Sequence, residues 1–359
     1  MGSKPQKQSS NISYPKKFPN KENNIPQNEN QSSLTSKPDN IKSNNEINNE
    51  THSSIHSIKI KHQIENIHKN KISSVIELID GRIATGSLDC SISIIQLEIT
   101  SKKWKRNILI ENAHYSSIDS LCELTNNRLI SSSFDIKIWK FKLNEYNLIT
   151  TIKHNINVNR VIIFSEKRFA SCSFDGTVKI WSSIEPFVNE ITFENESSTI
   201  SIIKLKRQNT LVAGCYGKIN FWDLPYKSKS YSLEGISIIN HSHMIELTNG
   251  FIAAFSNNDN DCVLVVINPL KYEIVSRIVE EGITDKCSSL CVWDLESFIF
   301  MNENNFLQIS SVNNKIIYNG QVNSSFEGYD GLISIQRGKY MLICNCSGGF
   351  VVIKPIFEN

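Results

Sequence analysis

Histidine, serine and aspartate recur together along this chain, and those are the three side chains from which a nucleophilic triad is built. His154, Ser171 and Asp175 form one group, His114, Ser131 and Asp135 a second, and His68, Thr85 and Asp89 a third. A catalytic triad is assembled once per active site, so sets that recur at regular intervals point to a structural role. His241 and His243 form an HxH pair, which would put two imidazoles on one strand face, but no further His or carboxylate cluster stands beside them to complete a metal site. Nine cysteines are scattered through apolar segments. The CxC at Cys344 and Cys346 and the CxxxC at Cys287 and Cys291 lack the paired spacing and His partners of a zinc site, so they read as small strand hydrophobes in a reducing compartment. GxSxG, Walker, GxGxxG and HExxH motifs are all missing from the sequence. No enzyme, cofactor or metal is expected, although a site assembled from side chains far apart in sequence stays open.

The elements that must position these residues are legible in hydrophobic patterning. Residues 1–54 are crowded with Asn, Ser, Lys, Gln and Glu and contain one Leu, no Val and no Trp. They lack the apolar surface to offset the entropy of ordering and are expected to be a disordered tail. Its first residues, Met1 to Lys7, place Gln6 where a myristoylation signal wants Ser or Thr. No secretory signal or membrane-spanning apolar run is read, which favours the cytoplasm or nucleus. From 55 to 359 one phrase recurs seven times, beginning at Val75, Leu121, Val161, Ile202, Met244, Leu290 and Leu332, with starts 40 to 46 residues apart. That period suits four-stranded propeller blades. Alternation with period two, β-branched residues, and turns such as Asp80-Gly81, Asn126-Asn127 and Asp175-Gly176 all favour short strands, with helices almost absent.

The third copy, with His154, Ser171 and Asp175 followed by SFDGTVKIW ending at Trp181, resembles a WD repeat. The resemblance implies an all-β, seven-bladed propeller in which His154, Ser171, Asp175 and Trp181 form a structural hydrogen-bonded set. The second copy is similar at His114, Ser131, Asp135 and Trp139, with a turn two residues shorter. The first matches at His68, Thr85 and Asp89 but has Ile95 in place of Trp, the fourth keeps Trp222-Asp223, and the last three lack the set. Trp293-Asp294 falls in a first strand and imitates the repeat end. The family's usual closure implies that the strand 57–64 completes the last blade beside Phe350–Pro355.

With 38 basic and 36 acidic residues, overall charge names no partner. Sorted by turn, one face is expected to collect Arg82, Lys102, Lys103, Arg106, Arg128, Lys167, Arg168, Lys204, Lys206 and Arg207, with Lys227, Lys229, Lys271 and Arg337. The other collects Asp89, Asp175, Glu194, Glu196, Asp259, Asp261, Glu280, Glu281, Asp285, Glu303, Glu327 and Asp330. The charges are either ordinary solvated turns or a docking surface. Trp104, inside a basic run, either packs on an outer strand or stacks on a base. The expected function is a non-enzymatic scaffold that binds other proteins or peptides through the rim and acidic face, as a monomeric ring within a larger complex. The alternative is a binder of anionic protein, phospholipid or nucleic acid through the basic face, against which stands the weak match of Gln336-Arg337-Gly338 to a lipid-binding arginine pair.

Overall fold

Strands of five to eight residues with one apolar face cannot bury that face alone, so they must pair into sheets and the sheets must stack. The computed structural model describes residues 55–98, 100–238, 244–258, 261–278, 290–292, 297–301, 306–311, 316–321, 329–335, 340–345 and 348–357. They fall within one unit, His52–Asn359. The expected tail 1–54, the pair His241 and His243, Cys287, Cys346, the Trp293-Asp294 dipeptide, Arg337, Asp259, Glu280, Glu281, Asp285, Glu303 and Glu327 lie outside the described residues.

Among the described residues there is no helix, and the strands form seven four-stranded antiparallel sheets, consistent with seven blades. β1 is Ile55–Ile64. The first sheet is β2 (Ile72–Glu77), β3 (Ile83–Ser87), β4 (Ile92–Leu97) and β5 (Trp104–Ile110). The second is β6 (Ser120–Leu124), β7 (Arg128–Ser132), β8 (Asp135–Lys142) and β9 (Glu145–Lys153). The third is β10 (Val158–Ser165), β11 (Arg168–Ser173), β12 (Thr177–Ser182) and β13 (Asn189–Glu194), and the fourth β14 (Thr199–Lys204), β15 (Thr210–Cys215), β16 (Lys218–Asp223) and β17 (Ser228–Glu234). The fifth is β18 (Ile245–Glu246), β19 (Ile252–Asn258), β20 (Asp261–Asn268) and β21 (Glu273–Ile278). The sixth is β22 (Leu290–Val292), β23 (Ser297–Met301), β24 (Phe306–Ser311) and β25 (Ile316–Gln321). The seventh is β26 (Tyr329–Ile335), β27 (Tyr340–Asn345) and β28 (Phe350–Phe357), with β1 as its fourth strand.

First strands of neighbouring sheets abut in order, β2 on β6, β6 on β10, β10 on β14, β18 on β22, β22 on β26 and β26 back on β2. The junction of β14 and β18 is bridged where Met244 N–H donates to Ser201 Oγ at 3.2 Å. A closed ring leaves no open stack of sheet faces. At the closing seam Ile64 pairs with Phe350 and Ile60 with Ile353. His68 N–H donates to Gly348 O at 3.0 Å, as Asn195 N–H does to Gly176 O at 2.8 Å, so β1 leaves its sheet as an ordinary fourth strand leaves. Gly348 is required there, since a Cβ would stand 2.4 Å from His68 O and its φ is +82°.

The core lies between sheets. Leu129 and Trp139 of the second sheet pack with Ile92 and Ile94 of the first, and Phe193 packs with Trp222 across the third and fourth, their rings 5.1 Å apart. Trp104 is buried edge-on against Phe350, 6.2 Å between centroids, which spends it on the seam and not on a base.

Polar atoms on the first strands pair the rows. Ser74 Oγ accepts Leu121 N–H at 3.0 Å and Ser120 Oγ accepts Val161 N–H at 3.2 Å, as Ser201 does for Met244. One residue earlier, Ser73 Oγ donates to Ile118 O at 2.5 Å and Asn159 Nδ2 to Thr199 O at 2.7 Å. In the second sheet that position is Asp119, which as a carboxylate can only accept. Burial pushes its carboxyl up to about 6, and Ser117 Oγ donates to it at 3.0 Å.

A folded pKa above the unfolded one gives stability that is present below the ordinary aspartate value of 3.8 and lost as pH rises through about 6. Asp119→Asn supplies the donor that Asn159 already is, so it should raise the unfolding free energy at pH 7.5 by about 1–2 kcal/mol and change it little at pH 4. Denaturant titrations at the two pH values check this; an equal effect at both would contradict it. Removing residues 1–54 should leave Tm nearly unchanged in a melting scan, whereas removal through Ile64 should lower it by stripping the fourth strand from the closing sheet.

Candidate functional site

Antiparallel strands put alternate turns at opposite edges, so second-to-third turns share one face of the ring with the loops that run from a fourth strand to the next first strand. The recurring polar sets stand under that face. His154 Nε2 lies 2.7 Å from Ser171 Oγ, which also accepts Trp181 Nε1–H at 2.7 Å. His154 Nδ1 is 3.4 Å from Asp175 Oδ2, and Asp175 Oδ1 accepts Thr177 N–H at 2.8 Å. In the second sheet His114 Nε2 is 2.7 Å from Ser131 Oγ, which accepts Trp139 Nε1–H at 2.8 Å. His114 Nδ1 lies 2.7 Å from Asp135 Oδ1, out of line for a hydrogen bond. In the first, His68 bridges Thr85 Oγ1 and Ser91 Oγ, both at 2.8 Å, with Asp89 Oδ1 3.4 Å from Nδ1. Ile95 occupies the Trp position, wholly buried, so Thr85 Oγ1 turns instead to Ser93 O at 3.3 Å.

The histidines loop out of one sheet and bond into the next, so each set is a joint. Burial pushes all three imidazoles down to about 4, the carboxylates beside them opposing it. They are neutral at pH 7. The order Ser, His, Asp is that of a nucleophilic triad, but Ser131 and Ser171 have no exposed surface and each accepts an indole N–H. A substrate cannot reach them in the folded ring.

The fourth sheet carries a variant that the sequence reading missed. Asn195 takes the histidine position: its Oδ1 accepts Trp222 Nε1–H at 3.2 Å and Asn220 Nδ2–H at 2.8 Å, and its Nδ2 donates to Thr199 Oγ1 at 3.0 Å. The signal was available, because Asn195 precedes Thr199 by the same four residues that separate His154 from Val158 and His114 from Ile118.

Both expected charged faces require correction. Asp89, Asp135 and Asp175 are only 11, 18 and 8% exposed and are turned inward to the joints. Glu196 is ion-paired with Lys218 and with Lys229, the latter at 2.9 Å, so neither Glu196 nor Lys229 is a bare surface charge. The side chains of Asp261 and Asp330 lie outside the described residues, whereas Glu194 is exposed.

On the other face Arg82 is held by Asp80 at 2.7 Å and lies 4.4 Å over the Phe141 ring. Arg128 Nη1 donates to Ser183 O at 2.5 Å, Arg168 Nε to Glu190 Oε2 at 2.5 Å and Lys204 Nζ to Phe164 O at 3.0 Å. Arg106 does not belong to that face: its Nη1 donates to Ile67 O at 2.7 Å, beside Asp89 in a cleft of about 110 Å³. The reason is local. Lys137 Nζ donates to Ala113 O at 2.7 Å in the second sheet, but the first sheet has the short Ser93 at that position, and Arg106 reaches across from β5 to reinforce the bond. Lys102, Lys103, Lys167, Lys206 and Arg207 remain exposed, as does Lys227 in the turn before β17. Lys271 Nζ is 3.6 Å from Glu273. Carboxylates from the same turns dilute them: Glu123 accepts Ile79 N–H at 2.6 Å and Glu246 accepts Lys206 N–H at 2.8 Å, each tying adjacent sheets.

With Asp89, Asp135 and Asp175 drawn in, three of the described second-to-third turns present an apolar or aromatic side chain. Leu88, Phe134 and Tyr216, at one turn position in the first, second and fourth sheets, are 38, 58 and 45% exposed, and Tyr115 beside them is 97% exposed. Phe174, at the same position in the third sheet, packs partly against the core. No metal-binding cluster of His, Cys, Asp or Glu occurs among the described residues. No helix there is long and apolar enough to cross a membrane.

Asp175→Ala leaves His154 Nδ1 and the Thr177 amide without an acceptor and should cost about 1–3 kcal/mol in a denaturant titration. An unchanged midpoint would contradict the role of the joint.

The family model described as WD domain, G-beta repeat matches residues 146–182, which begin in β9 and end with β12. No curated protein matches the chain in sequence. Among 1638 matching solved chains is the crystal structure of the WD40 β-propeller domain of Doa1. It is 12% identical, with a TM-score of 0.69, over 83% of this chain and 97% of that one. So widely shared an architecture is evidence of fold and not of task. The chain therefore carries a WD repeat and has the fold of a WD40 β-propeller.

Proposed function

We propose that this propeller is a non-enzymatic scaffold that docks another protein on the face of the second-to-third turns. WD40 propellers generally serve as protein-interaction scaffolds and are typically without catalysis of their own. The observation that carries the choice of face is the recurrence of Leu88, Phe134 and Tyr216 at one turn position. A folding requirement would bury them, as it partly buries Phe174. Apolar and aromatic side chains on a rigid support are the anchors from which protein interfaces draw most of their energy.

The partner this surface suits presents apolar side chains, not a run of basic ones, since Asp89 and Asp175 are spent inside the joints. The alternative, an acidic protein, phospholipid or nucleic acid on the opposite face, rests on Lys102, Lys103, Lys167, Lys206 and Arg207. Asp80, Glu123 and Glu246 stand among them and weaken it. The chain's place is proposed to be the cytoplasm or nucleus, as one ring within a larger assembly.

The test is quantitative affinity capture from the protein's own cells with three baits: the native chain, Leu88→Asp with Phe134→Asp, and the five exposed cations changed to Glu. A partner bound by the native bait and the charge-reversed bait, and weakened at least about tenfold by the Asp pair at unchanged Tm, is the expected result. Loss only on charge reversal, with salt-sensitive binding, would move the site to the opposite face.

A further inference from the structure

Three first-strand serines, Ser74, Ser120 and Ser201, accept the backbone N–H of Leu121 and Val161 in the neighbouring first strands and of Met244 just before one. Strand register puts them at one position: they face Gly86, Ser132 and Gly214 of their second strands, and in the third sheet Arg160 faces Cys172 there. An arginine has five donors and no acceptor, so Arg160 cannot repeat the bond. The amide that corresponds to Leu121, Val161 and Met244 in the fourth sheet is that of Ile202, paired with Ala213 as Val161 is with Ser171. At this junction two donors therefore meet where the three junctions with serine have a donor and an acceptor.

Arg160 Nη1 is sealed from solvent and has no hydrogen-bond partner. The surroundings do not neutralise it, because the ionisable groups acting on it are the thiols of Cys172 and Cys122, both of which burial pushes well up, Cys122 to about 12. They carry no charge at neutral pH. A buried, unpaired cation is strongly unfavourable unless it gains a counter-charge. The residue as a whole is half-buried, so the site is not wholly enclosed by the sheets.

We propose that Arg160 binds a small oxyanion at the junction of the third and fourth sheets. The anion supplies the acceptor that serine supplies elsewhere, taking hydrogen bonds from the guanidinium and from the Ile202 amide. A carboxylate or a phosphate matches the fork of donors that arginine presents.

Melting the full-length chain against rising inorganic phosphate, or against rising acetate, at constant ionic strength set with chloride, tests this. Tm should climb saturably, on the order of 2 °C, with at least one of the two anions. Arg160→Ser restores the sister residue and should abolish the climb; Arg160→Met serves in its place if the serine variant does not fold. A phosphate response alone assigns the site to a phosphate-like ion, and an acetate response to a carboxylate. No saturable response in the native chain, or an equal one in the variant, would overturn the proposal. Calorimetric titration of the native chain and of the Arg160 variant with both anions gives a second readout: saturable heat lost in the variant is expected, and equal heat in both would overturn the proposal.

Discussion

The ring depends on a hydrogen-bonded joint buried between sheets. A strand that ends one sheet leads into a loop whose His or Asn bonds to side chains on the second and third strands of the next. His114 and His154 do this through Ser131 and Ser171, His68 through Thr85, and Asn195 through Trp222 and Asn220. Buried polar groups are expensive when unmet, so joints that meet nearly all of theirs, His114 Nδ1 excepted, favour a single arrangement of adjacent sheets. The closing seam shows the same logic in the backbone, where His68 N–H meets Gly348 O. The repeat in sequence is thus offset from the sheet in space, and the WD-repeat match over 146–182 spans that offset.

Much of this was legible from residue spacing. The seven apolar phrases, the period-two alternation and the sets at His68, His114 and His154 are local patterns, and local patterns map directly onto strands and turns. What escaped depended on neighbours distant in sequence. Asn195 was hidden because its residue type differs from histidine, although its distance from the next strand does not. Arg106 was assigned to the wrong face because its direction is decided by Ser93, a short residue on the adjoining strand that leaves Ile67 O free to accept a second donor.

Sorting charges by turn failed for a related reason. A turn residue was counted as surface charge by type, yet Asp89 and Asp175 serve the joints, and Glu123 and Glu246 cap amides of the adjacent sheet. Arg82 and Arg128 are likewise committed, to Asp80 and to the Ser183 carbonyl. What remains after these assignments is an apolar row, Leu88, Phe134 and Tyr216, above the joints. The same turns that hold the sheets together thus lift these side chains into solvent on a rigid base, as the proposed docking surface would require.

Native-state hydrogen exchange tests the joint most directly. If buried joints couple the sheets into one cooperative ring, the amides of Leu121, Val161 and Met244 should exchange with a single common free energy equal to that of global unfolding. Exchange of these amides at distinctly lower and unequal free energies would show that the sheets part independently, and that the joints do not hold the ring together.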